Sequence, residues 1–392
     1  MAENSADWII SYLALQSLDA TVIPINPGYK QAEAEHILRD SGSRFLIKTS
    51  SEGSLPPVGR AREGVGRTAL IMYTSGTTGR PKGAMLDDGN MLAQSRGVIE
   101  AWHWTSRDRL VLALPLFHLH GLGIGLHGSL ISGGCAVLVP FSPENVVREL
   151  TNGSTMFFGV PAMYQRLCDY LEQHPTDLSH VRLFVSGSAP LPPSLFERCH
   201  QLLGQPVLER FGLTEGGIVV SNPYDGPRQA GRVGYPLPGV EVRLGDRDEV
   251  QLKGGQVFSG YWHNEQATKD AFTDGWLRTG DIGQIDDNGS LAIRGRIKEL
   301  IISGGFNVYP REVEMVLEQH PAVAEAAVVG MPSEQWGEEV TAYVVKRGAA
   351  DPEELIAFAR ERLATYKCPR AVRFIDALPR NAMGKVDRSR LA

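Results

Sequence analysis

The chain has 392 residues, and its 39 Lys and Arg against 45 Asp and Glu give a formal net charge of −6. A chain of this length buries a large core and is typical of two or three domains. Its 42% hydrophobic and 21% charged residues exclude wholesale disorder, and its acidic balance lacks the basic face that nucleic-acid binding needs. The 43 glycines exceed the usual ~7% and indicate loops where the backbone approaches a ligand.

The sequence gives no indication of export or membrane insertion. The first eight residues are acidic where a signal peptide is basic. The most apolar stretch, residues 110–140, is interrupted by histidines and glycines before it reaches the ~18–20 residues of a membrane span. The four cysteines are too far apart for a zinc or redox motif, so we expect reduced, mostly buried thiols and a cytoplasmic protein. They are Cys135, Cys168, Cys199 and Cys368.

The order of apolar and amphipathic segments predicts an α/β fold in which helices cover sheets. The predicted strands are Ala20–Pro24, Leu70–Tyr73, Leu110–Leu114, Ala136–Val139, Val181–Val185 and Val219–Val220, and the predicted helices include Met163–Glu172 and Ser194–Leu203. The residues Thr49–Arg67, rich in Ser, Gly, Pro and Arg, predict an exposed connector.

From about Arg296 the pattern changes to a smaller α+β unit of roughly ninety residues, near the lower part of the usual domain range. Its predicted elements are the helices Arg311–Gln319 and Pro352–Leu363 and the strands Val323–Gly330 and Val372–Asp376. We therefore predict a large domain over residues 1–296 and a small domain over residues 297–392.

The strongest motif is the eleven-residue loop Tyr73–Gly83, directly after a predicted strand. It combines glycines for a tight turn with four hydroxyls and one cation, which are groups that cradle phosphate. Those residues are Thr74, Ser75, Gly76, Thr77, Thr78, Gly79, Lys82 and Gly83. The spacing differs from the Walker pattern, in which Gly-Lys-Ser/Thr opens a helix. The alternative for such a loop is an ordinary polar surface turn.

The loop resembles the phosphate-binding motif of the acyl-adenylate-forming superfamily, which includes acyl-CoA synthetases, peptide-synthetase adenylation domains and beetle luciferases. Further motifs follow in the family's order: Phe184–Pro190, Arg210–Glu215, Gly275–Asp281, Gly295–Lys298 with Ser303–Gly305, and Pro379–Lys385. The resemblance runs from about Ala20 to the end of the sequence. It implies an enzyme that uses ATP, Mg²⁺ and CoA.

The resemblance also implies a role for each motif residue. Thr214, Glu215, His118 and Lys385 would serve catalysis, with Glu215 holding Mg²⁺. Adenosine would contact Gly187, Ser188, Ala189, Arg210, Phe211, Gly212, Asp281 and Arg296. CoA would pass along Ser303, Gly304, Gly305 and Phe306. Each motif has a plainer alternative: a strand-end turn at Gly187–Ala189, a solvated Glu215, an Asp281 that stabilises its own turn, or a hairpin turn at Gly304–Gly305.

Lys385 lies in a basic segment near the end of the sequence, and its alternative reading is a frayed tail. In the family the small domain swings about a hinge, and Lys298 holds that place here. One pose would bring Lys385 to the phosphate, where it stabilises charge as a carboxylate attacks ATP. The other pose would open the thiol route.

The acid is indicated by two arginines, since the segments Phe158–Arg166 and Ser221–Gly226 resemble malonyl-CoA synthetases. In that subfamily, arginines at the positions of Arg166 and Arg210 hold the far carboxylate of malonate, and the acyl pocket would also include Ser186. An Arg fork suits a planar carboxylate. Each arginine could instead be an ordinary ion-pair partner, and the rival substrate is a fatty or aryl monocarboxylate.

The sequence departs from the family in its N-terminal part, which is shorter, and around Arg243–Val257, which is trimmed. We expect weak stability from the lost core surface, since buried apolar surface contributes about 25 cal/mol per Å². Two further alternatives therefore stay open: a non-catalytic remnant, and an adenylation enzyme that loads a carrier-protein thiol.

Overall fold

The computed structural model describes residues 1–47, 67–74, 81–380 and 385–391. Within these ranges the helices are α1 (Ala6–Ser17), α2 (Gln31–Ser41), α3 (Asp88–Ala101), α4 (His127–Ile131), α5 (Pro143–Thr151), α6 (Pro161–Gln173), α7 (Pro193–Leu203), α8 (Glu265–Asp270), α9 (Pro310–Leu317) and α10 (Pro352–Arg360). A π-helical segment, His120–Leu126, precedes α4.

The strands before residue 240 are β1 (Thr68–Thr74), β2 (Lys82–Asp87), β3 (Arg109–Leu112), β4 (Cys135–Leu138), β5 (Met156–Gly159), β6 (Leu183–Ser186), β7 (Leu208–Leu213), β8 (Gly217–Ser221) and β9 (Tyr235–Pro236). The later strands are β10 (Val240–Leu244), β11 (Glu249–Gly254), β12 (Gly260–Tyr261), β13 (Phe272–Thr273), β14 (Trp276–Ile285), β15 (Leu291–Arg296), β16 (Ile301–Ser303), β17 (Phe306–Val308), β18 (Val323–Ser333), β19 (Gly337–Lys346) and β20 (Ala371–Phe374).

A seven-stranded sheet in the order β4-β3-β5-β6-β7-β8-β9 is the centre of the fold. Strands β3 to β7 pair in parallel, and β8 and β9 join antiparallel. Side chains alternate between its faces. Phe157 and Phe184 pack with α5, α6 and α7, whereas Phe158 and Val185 pack into a second core with α3 and the π-helical segment. Burial on both faces explains why these strands are continuously apolar in sequence.

The parallel pairing also fixes where polar residues gather. Gly159 pairs with Ser186, and Ser186 pairs with Glu209. The segments that leave β5 and β6 therefore emerge beside Arg210 on β7. In open α/β sheets the carboxyl ends of parallel strands form the crevice where ligands bind.

Two smaller sheets complete the large part of the molecule. The first is β1-β2-β12, and the second is β10-β11-β14-β13 with β15 paired to β14. Both pack against the core that contains Phe158, through residues such as Leu70 and Leu252.

The chain beyond residue 300 builds its own sheet, β17-β16-β19-β18 with β20 paired parallel to β19. Helices α9 and α10 cover one face through Leu317 and Leu355, and Leu378 and Leu391 lie in a small core with Ala327. These two cores contain only residues from this part of the chain. The boundary at residue 296 stays a prediction.

Most of the predicted elements match the structure within a few residues. The predicted strand Ala20–Pro24 is wrong, because it contributes only an isolated bridge between Val22 and Leu70. Asp281 was expected in a turn and lies inside the long strand β14, just after Gly280, which has a φ of +70°. The connector Thr49–Arg67 lies outside the described residues except at Arg67. Among the described helices, none is long and apolar enough to cross a membrane.

Candidate active site

Thr74 and Lys82 flank the predicted phosphate loop. Thr74 ends β1, Lys82 begins β2, and the two residues face each other in the antiparallel register. The Lys82 Nζ lies 5.3 Å from the centroid of the Tyr261 ring. The loop residues between them, Ser75, Gly76, Thr77, Thr78 and Gly79, lie outside the described residues, and their role stays a prediction.

Glu215 lies in the turn between β7 and β8, directly after Thr214. Its Oε1 accepts hydrogen bonds from the Tyr261 hydroxyl at 2.9 Å and from the Thr74 Oγ1 at 3.4 Å. These bonds hold the carboxylate at the end of β1, beside the predicted loop. Proximity to this carboxylate and burial raise the pKa of Tyr261, with burial the larger cause.

A carboxylate held in this way fits magnesium. Mg²⁺ commonly takes one or two protein carboxylates and completes its octahedron with water and substrate phosphates. The described residues contain no cluster of three or more His, Cys, Asp or Glu side chains that could hold a metal unaided. A single ligand from Glu215 therefore suits Mg²⁺ on phosphate better than a protein-only metal site.

Arg210 is a buried cation at the start of the crevice, with a side chain that is 5% exposed. A Cβ at position 187 would lie 2.4 Å from the Arg210 guanidinium, so only glycine lets the arginine occupy this position. Burial lowers the pKa of Arg210 to about 9. Its Nε is buried and has no hydrogen-bond partner among the described residues.

Asp281 and Arg296 face each other across the β14–β15 pair. The Arg296 Nε donates to the Asp281 Oδ1 at 2.9 Å. Burial raises the pKa of Asp281, and the positive charges of Arg296 and Lys385 oppose this rise. Asp281 is 3% exposed, and its hydrogen bond with Arg296 orients the carboxylate within the same crevice.

Lys385 lies in this crevice rather than in a frayed tail. Burial is the largest cause that lowers its pKa, followed by Arg296, while Asp281 raises it. Arg210 and Glu215 also act on its charge. The structure therefore brings together side chains that are up to 175 residues apart in sequence.

Two histidines border the crevice on the segment that follows β3. Burial, with a smaller contribution from Lys385, lowers the pKa of His118 to about 4. Burial also holds the pKa of His120 well below its usual value, helped by Arg210 and His118. Both imidazoles are therefore neutral at physiological pH. The Nε2 of each is buried without a hydrogen-bond partner in the described part of the chain.

Arg166 is placed differently from Arg210. It lies exposed on α6, with its guanidinium carbon 4.9 Å from the centroid of the Phe141 ring. The described contact of the Arg166 guanidinium is with Phe141, whereas that of the Arg210 guanidinium is with Ser188. The acyl-binding role of Arg166 stays a prediction.

The predicted CoA loop is a tight hairpin turn between β16 and β17. Gly304 and Gly305 have φ values of +58° and +82°, which favour glycine. Gly304 donates its amide to the Trp336 carbonyl at 2.8 Å, and Phe306 is exposed and stacked on Tyr366. The hairpin alternative is thus correct as a description of the backbone, and a CoA route along it remains a proposal. Lys298 is exposed in the short turn between β15 and β16.

The other predicted site residues lie at the same strand ends. Ser186 is fully buried, and its hydroxyl has no partner among the described residues. A Cβ at Gly212 would meet the Gly217 carbonyl oxygen at 2.4 Å, which explains glycine in this position. Ala189, Phe211 and Thr214 are half-buried beside them.

Sequence reasoning missed two residues of the crevice and a buried carboxyl next to it in sequence. Tyr261 orients Glu215, and His120 lies beside Ser188. Glu209 accepts a hydrogen bond from the Leu191 amide, and burial raises its pKa to about 7. The only sequence signal was the second histidine in the pair His118-Leu-His120. Tyr261 and Glu209 follow no motif, because their placement depends on strand pairing.

Sequence comparison places these features in a known family. The AMP-binding enzyme family matches residues 1–65 and 60–262, and the AMP-binding enzyme C-terminal domain matches residues 312–385. The chain is 33% identical over 465 residues to a malonate–CoA ligase of Arabidopsis thaliana, covering 100% of this chain and 76% of that one. It is 36% identical over 422 residues to a 2-succinylbenzoate–CoA ligase of Bacillus licheniformis, covering 99% and 87%.

Solved structures of acid–CoA ligases resemble the structure of this chain. ATP-bound MatB from Rhodopseudomonas palustris matches with a TM-score of 0.93 at 35% identity, covering 100% of this chain and 87% of that one. A malonyl-CoA ligase ternary product complex with methylmalonyl-CoA and AMP matches with a TM-score of 0.71 at 38% identity, covering 96% and 89%. The chain belongs to the AMP-binding enzyme family. It is an enzyme of the acid–CoA ligase type, as the sequence motifs predicted.

Proposed function

We propose that the chain is an ATP-dependent malonate–CoA ligase that also accepts methylmalonate. A carboxylate oxygen of the acid attacks the α-phosphorus of ATP, and pyrophosphate leaves to give acyl-AMP. The thiolate sulfur of CoA then attacks the acyl carbonyl carbon, and the bond to AMP breaks. The proposed setting is the cytoplasm, which the free thiols support.

The observation that carries the choice of acid is the buried guanidinium of Arg210. Its Nη2 donates to the Ser188 Oγ at 3.5 Å, no ion pair with a described carboxylate involves it, and its Nε has no partner among the described residues. A buried cation without a counterion is costly, and an apolar acyl tail would leave it so. A second carboxylate on the acid would supply the missing anion.

The other site residues would bind ATP and stabilise charge during the formation of acyl-AMP. Glu215 would hold Mg²⁺, which neutralises charge on the ATP phosphates. Thr74, Lys82 and the loop between them would bind those phosphates. Asp281 would accept hydrogen bonds from the ribose hydroxyls, and Lys385 would stabilise charge at the α-phosphate.

The second step would use another pose of the residues beyond 296, turning about Lys298. The separate cores of this unit support that proposal, since such a unit can move as a body.

Hydroxylamine trapping of acyl-AMP tests the proposal across malonate, methylmalonate, acetate, butyrate, octanoate and an aryl acid, each then repeated with CoA. We expect malonate to give the highest kcat/KM. Discrimination against acids that lack the second carboxylate can reach ~10⁴. Better use of octanoate or the aryl acid would refute the choice of substrate. No trapped product with any acid would favour a non-catalytic remnant, and product only with a carrier protein would favour a carrier-loading enzyme.

A further inference from the structure

Helix α2 makes polar contacts with both strands that flank the predicted phosphate loop. The Tyr73 hydroxyl donates to the Asp40 Oδ2 at 2.6 Å, and the His36 Nε2 lies 3.3 Å from the Pro81 carbonyl oxygen. A carbonyl oxygen can only accept, so the His36 Nε2 carries the proton of this bond. None of the sequence motifs assigned a role to this helix.

The ring of Tyr73 lies between α2 and the strand pair that carries Thr74 and Lys82. Tyr73 pairs with Gly83 across β1 and β2, and a Cβ at position 83 would lie 3.2 Å from the Tyr73 Cζ. Glycine at position 83 therefore leaves room for the ring to lie across the pair. On the helix side, the ring packs with the small core that contains Ile37.

The two residues that α2 contacts lead directly into the site. Tyr73 precedes Thr74, and Pro81 precedes Lys82. Thr74 and Lys82 face each other in the β1–β2 register, and the Thr74 hydroxyl donates to the Glu215 carboxylate at 3.4 Å. A shift of either strand end would therefore displace a hydroxyl or a cation that is proposed to bind ATP phosphates. Phosphoryl transfer depends on such positioning.

Packing of α2 does not by itself require these polar contacts. The apolar face of the helix is already buried through Ala34 and Ile37. Asp40 is exposed, so its bond to Tyr73 buries little surface. Burial, together with the hydrogen bond and charge of Asp40, raises the pKa of Tyr73, so the hydroxyl keeps its proton and remains a donor. We therefore interpret the bond as one that orients the ring.

We propose that Asp40 and His36 are positioning residues of the ATP phosphate site. Through Tyr73 and Pro81 they hold the ends of β1 and β2 in the register that the site needs. Neither side chain touches ATP in this proposal. The inference rests on the use of ATP in the proposed function, and it is independent of which acid is the substrate.

Tyr73→Phe removes one hydroxyl and keeps the ring. We expect the KM for ATP in acyl-AMP formation to rise about threefold to tenfold, which corresponds to the net loss of one hydrogen bond. Thioester formation from supplied acyl-AMP should stay within about twofold of wild type, because that step uses no ATP. Asp40→Ala removes the other partner of the same bond, so the double variant should lose no more than the larger single loss. His36→Ala, which frees the other strand end, should show the same selectivity.

The matched control is Tyr12→Phe, which removes a tyrosine hydroxyl that bonds His127 at 2.8 Å between α1 and α4. It should lower thermal stability and leave the KM for ATP unchanged. A merely structural role for Tyr73 would give the same result as this control, with both half-reactions affected alike.

Calorimetric titration with MgATP gives a second readout that needs no turnover. We expect weaker binding in Tyr73→Phe and Asp40→Ala, and wild-type binding in Tyr12→Phe. Unchanged MgATP affinity in both site variants would overturn the proposal, as would equal losses in the two half-reactions or additive losses in the double variant. A wild type that binds MgATP but forms acyl-AMP with no acid would refute the ligase function, and the titrations would still decide the role of α2. A wild type that does not bind MgATP would refute both.

Discussion

The buried charge of Arg210 lowers the stability of the folded chain and, under the proposed function, favours an acid with a second carboxylate. Its side chain is almost fully buried, and burial lowers its pKa to about 9. No described carboxylate compensates its charge. Such a residue destabilises the folded chain unless a ligand supplies the anion, which is why we rest the choice of acid on it.

Arg210→Gln removes the charge but keeps hydrogen-bonding groups. We expect kcat/KM for malonate to fall by about 100-fold or more, because losing one member of a buried charge pair costs ~2–5 kcal/mol. The KM for ATP should change by less than about threefold. Steady-state kinetics with both substrates checks this.

A matched control is Arg228→Gln, in which the lost guanidinium hydrogen-bonds backbone carbonyls, among them those of Pro206 and Tyr224. It should lower thermal stability without a selective effect on malonate. Arg166→Ala should cost less than Arg210→Gln, since Arg166 is exposed. If Arg210→Gln retains malonate activity, the acyl pocket must be sought elsewhere.

The buried histidines predict a dependence of stability on pH. Burial is the largest cause that lowers the pKa of His118 and of His127 to about 4, from an ordinary value of ~6.5. Between those values the unfolded chain binds more protons than the folded one. The free energy of unfolding therefore falls as pH falls through this window, by up to roughly 3 kcal/mol per histidine.

Denaturant unfolding at several pH values between 7 and 4 measures this slope. Glu209 acts in the opposite sense, because its raised pKa favours the folded state at low pH, so the comparison must use variants. His127→Gln should flatten the slope, while His200→Gln at an exposed site should not. Equal slopes in wild type and His127→Gln would contradict the assignment.

The pairing of strands β14 and β15 positions Asp281. The strand pairing aligns Asp281 with Arg296, and the opposite end of the pair is closed by a turn at Asp286. Asp286 accepts from the amides of Asn288 and Ser290, so it shapes its own turn. On one hairpin, Asp281 thus pairs with Arg296 in the crevice, whereas Asp286 stabilises a turn.

Asp281→Asn should raise the KM for ATP by about 10-fold or more, since charged hydrogen bonds to the ribose contribute ~1.5–3 kcal/mol each. Its thermal midpoint should change little. Asp286→Asn should do the reverse, lowering the midpoint and sparing the KM for ATP. An unchanged ATP KM in Asp281→Asn would mean that this carboxylate serves only the pairing with Arg296.

The elements were largely predictable because burial on both faces makes parallel strands continuously apolar. The run Leu110–Leu114 and β3 show this, with a difference of only one or two residues at each end. The run Ala20–Pro24 looked equally apolar but finds a single bridging partner, Val22 to Leu70. Composition cannot distinguish the two, since only the presence of a neighbouring strand separates a strand from an extended segment.

Lys385 links the unit beyond residue 300 to the crevice of the large part of the molecule. It belongs to the unit with its own cores beyond residue 300, yet the charges that act on it come from Arg296, Asp281, Arg210 and Glu215. With the proposed turn about Lys298, the position of this unit would decide whether the cation is present in the crevice.

Lys385→Ala should abolish formation of acyl-AMP from ATP and largely spare conversion of supplied acyl-AMP to thioester. Each half-reaction is measured separately, by hydroxamate formation and by thioester release. Lys346→Ala, an exposed lysine of the same unit, is the control and should affect neither. Equal loss of both half-reactions in Lys385→Ala would rule out alternation between two poses.

The site residues that lie in sequence motifs could be predicted. Those that enter the site through contacts between distant segments could not. Glu215, Asp281 and Lys385 lie in recognisable strings, and the structure brings them together. His120 and Tyr261 enter through contacts between distant segments, 68 residues for His120 with Ser188 and 46 for Tyr261 with Glu215. No local pattern encodes such contacts.

Three cations, Lys385, Arg296 and Arg210, lie near two anions, Asp281 and Glu215. This balance of charge affects the position of the small unit between turnovers. Three cations face two anions, so bringing Lys385 into the crevice adds repulsion that its surroundings offset only in part. Polyanionic ATP and a dicarboxylate reverse that balance. The charge of the substrates, rather than their shape alone, would then set how often the small unit closes, and added salt would weaken this control by screening it.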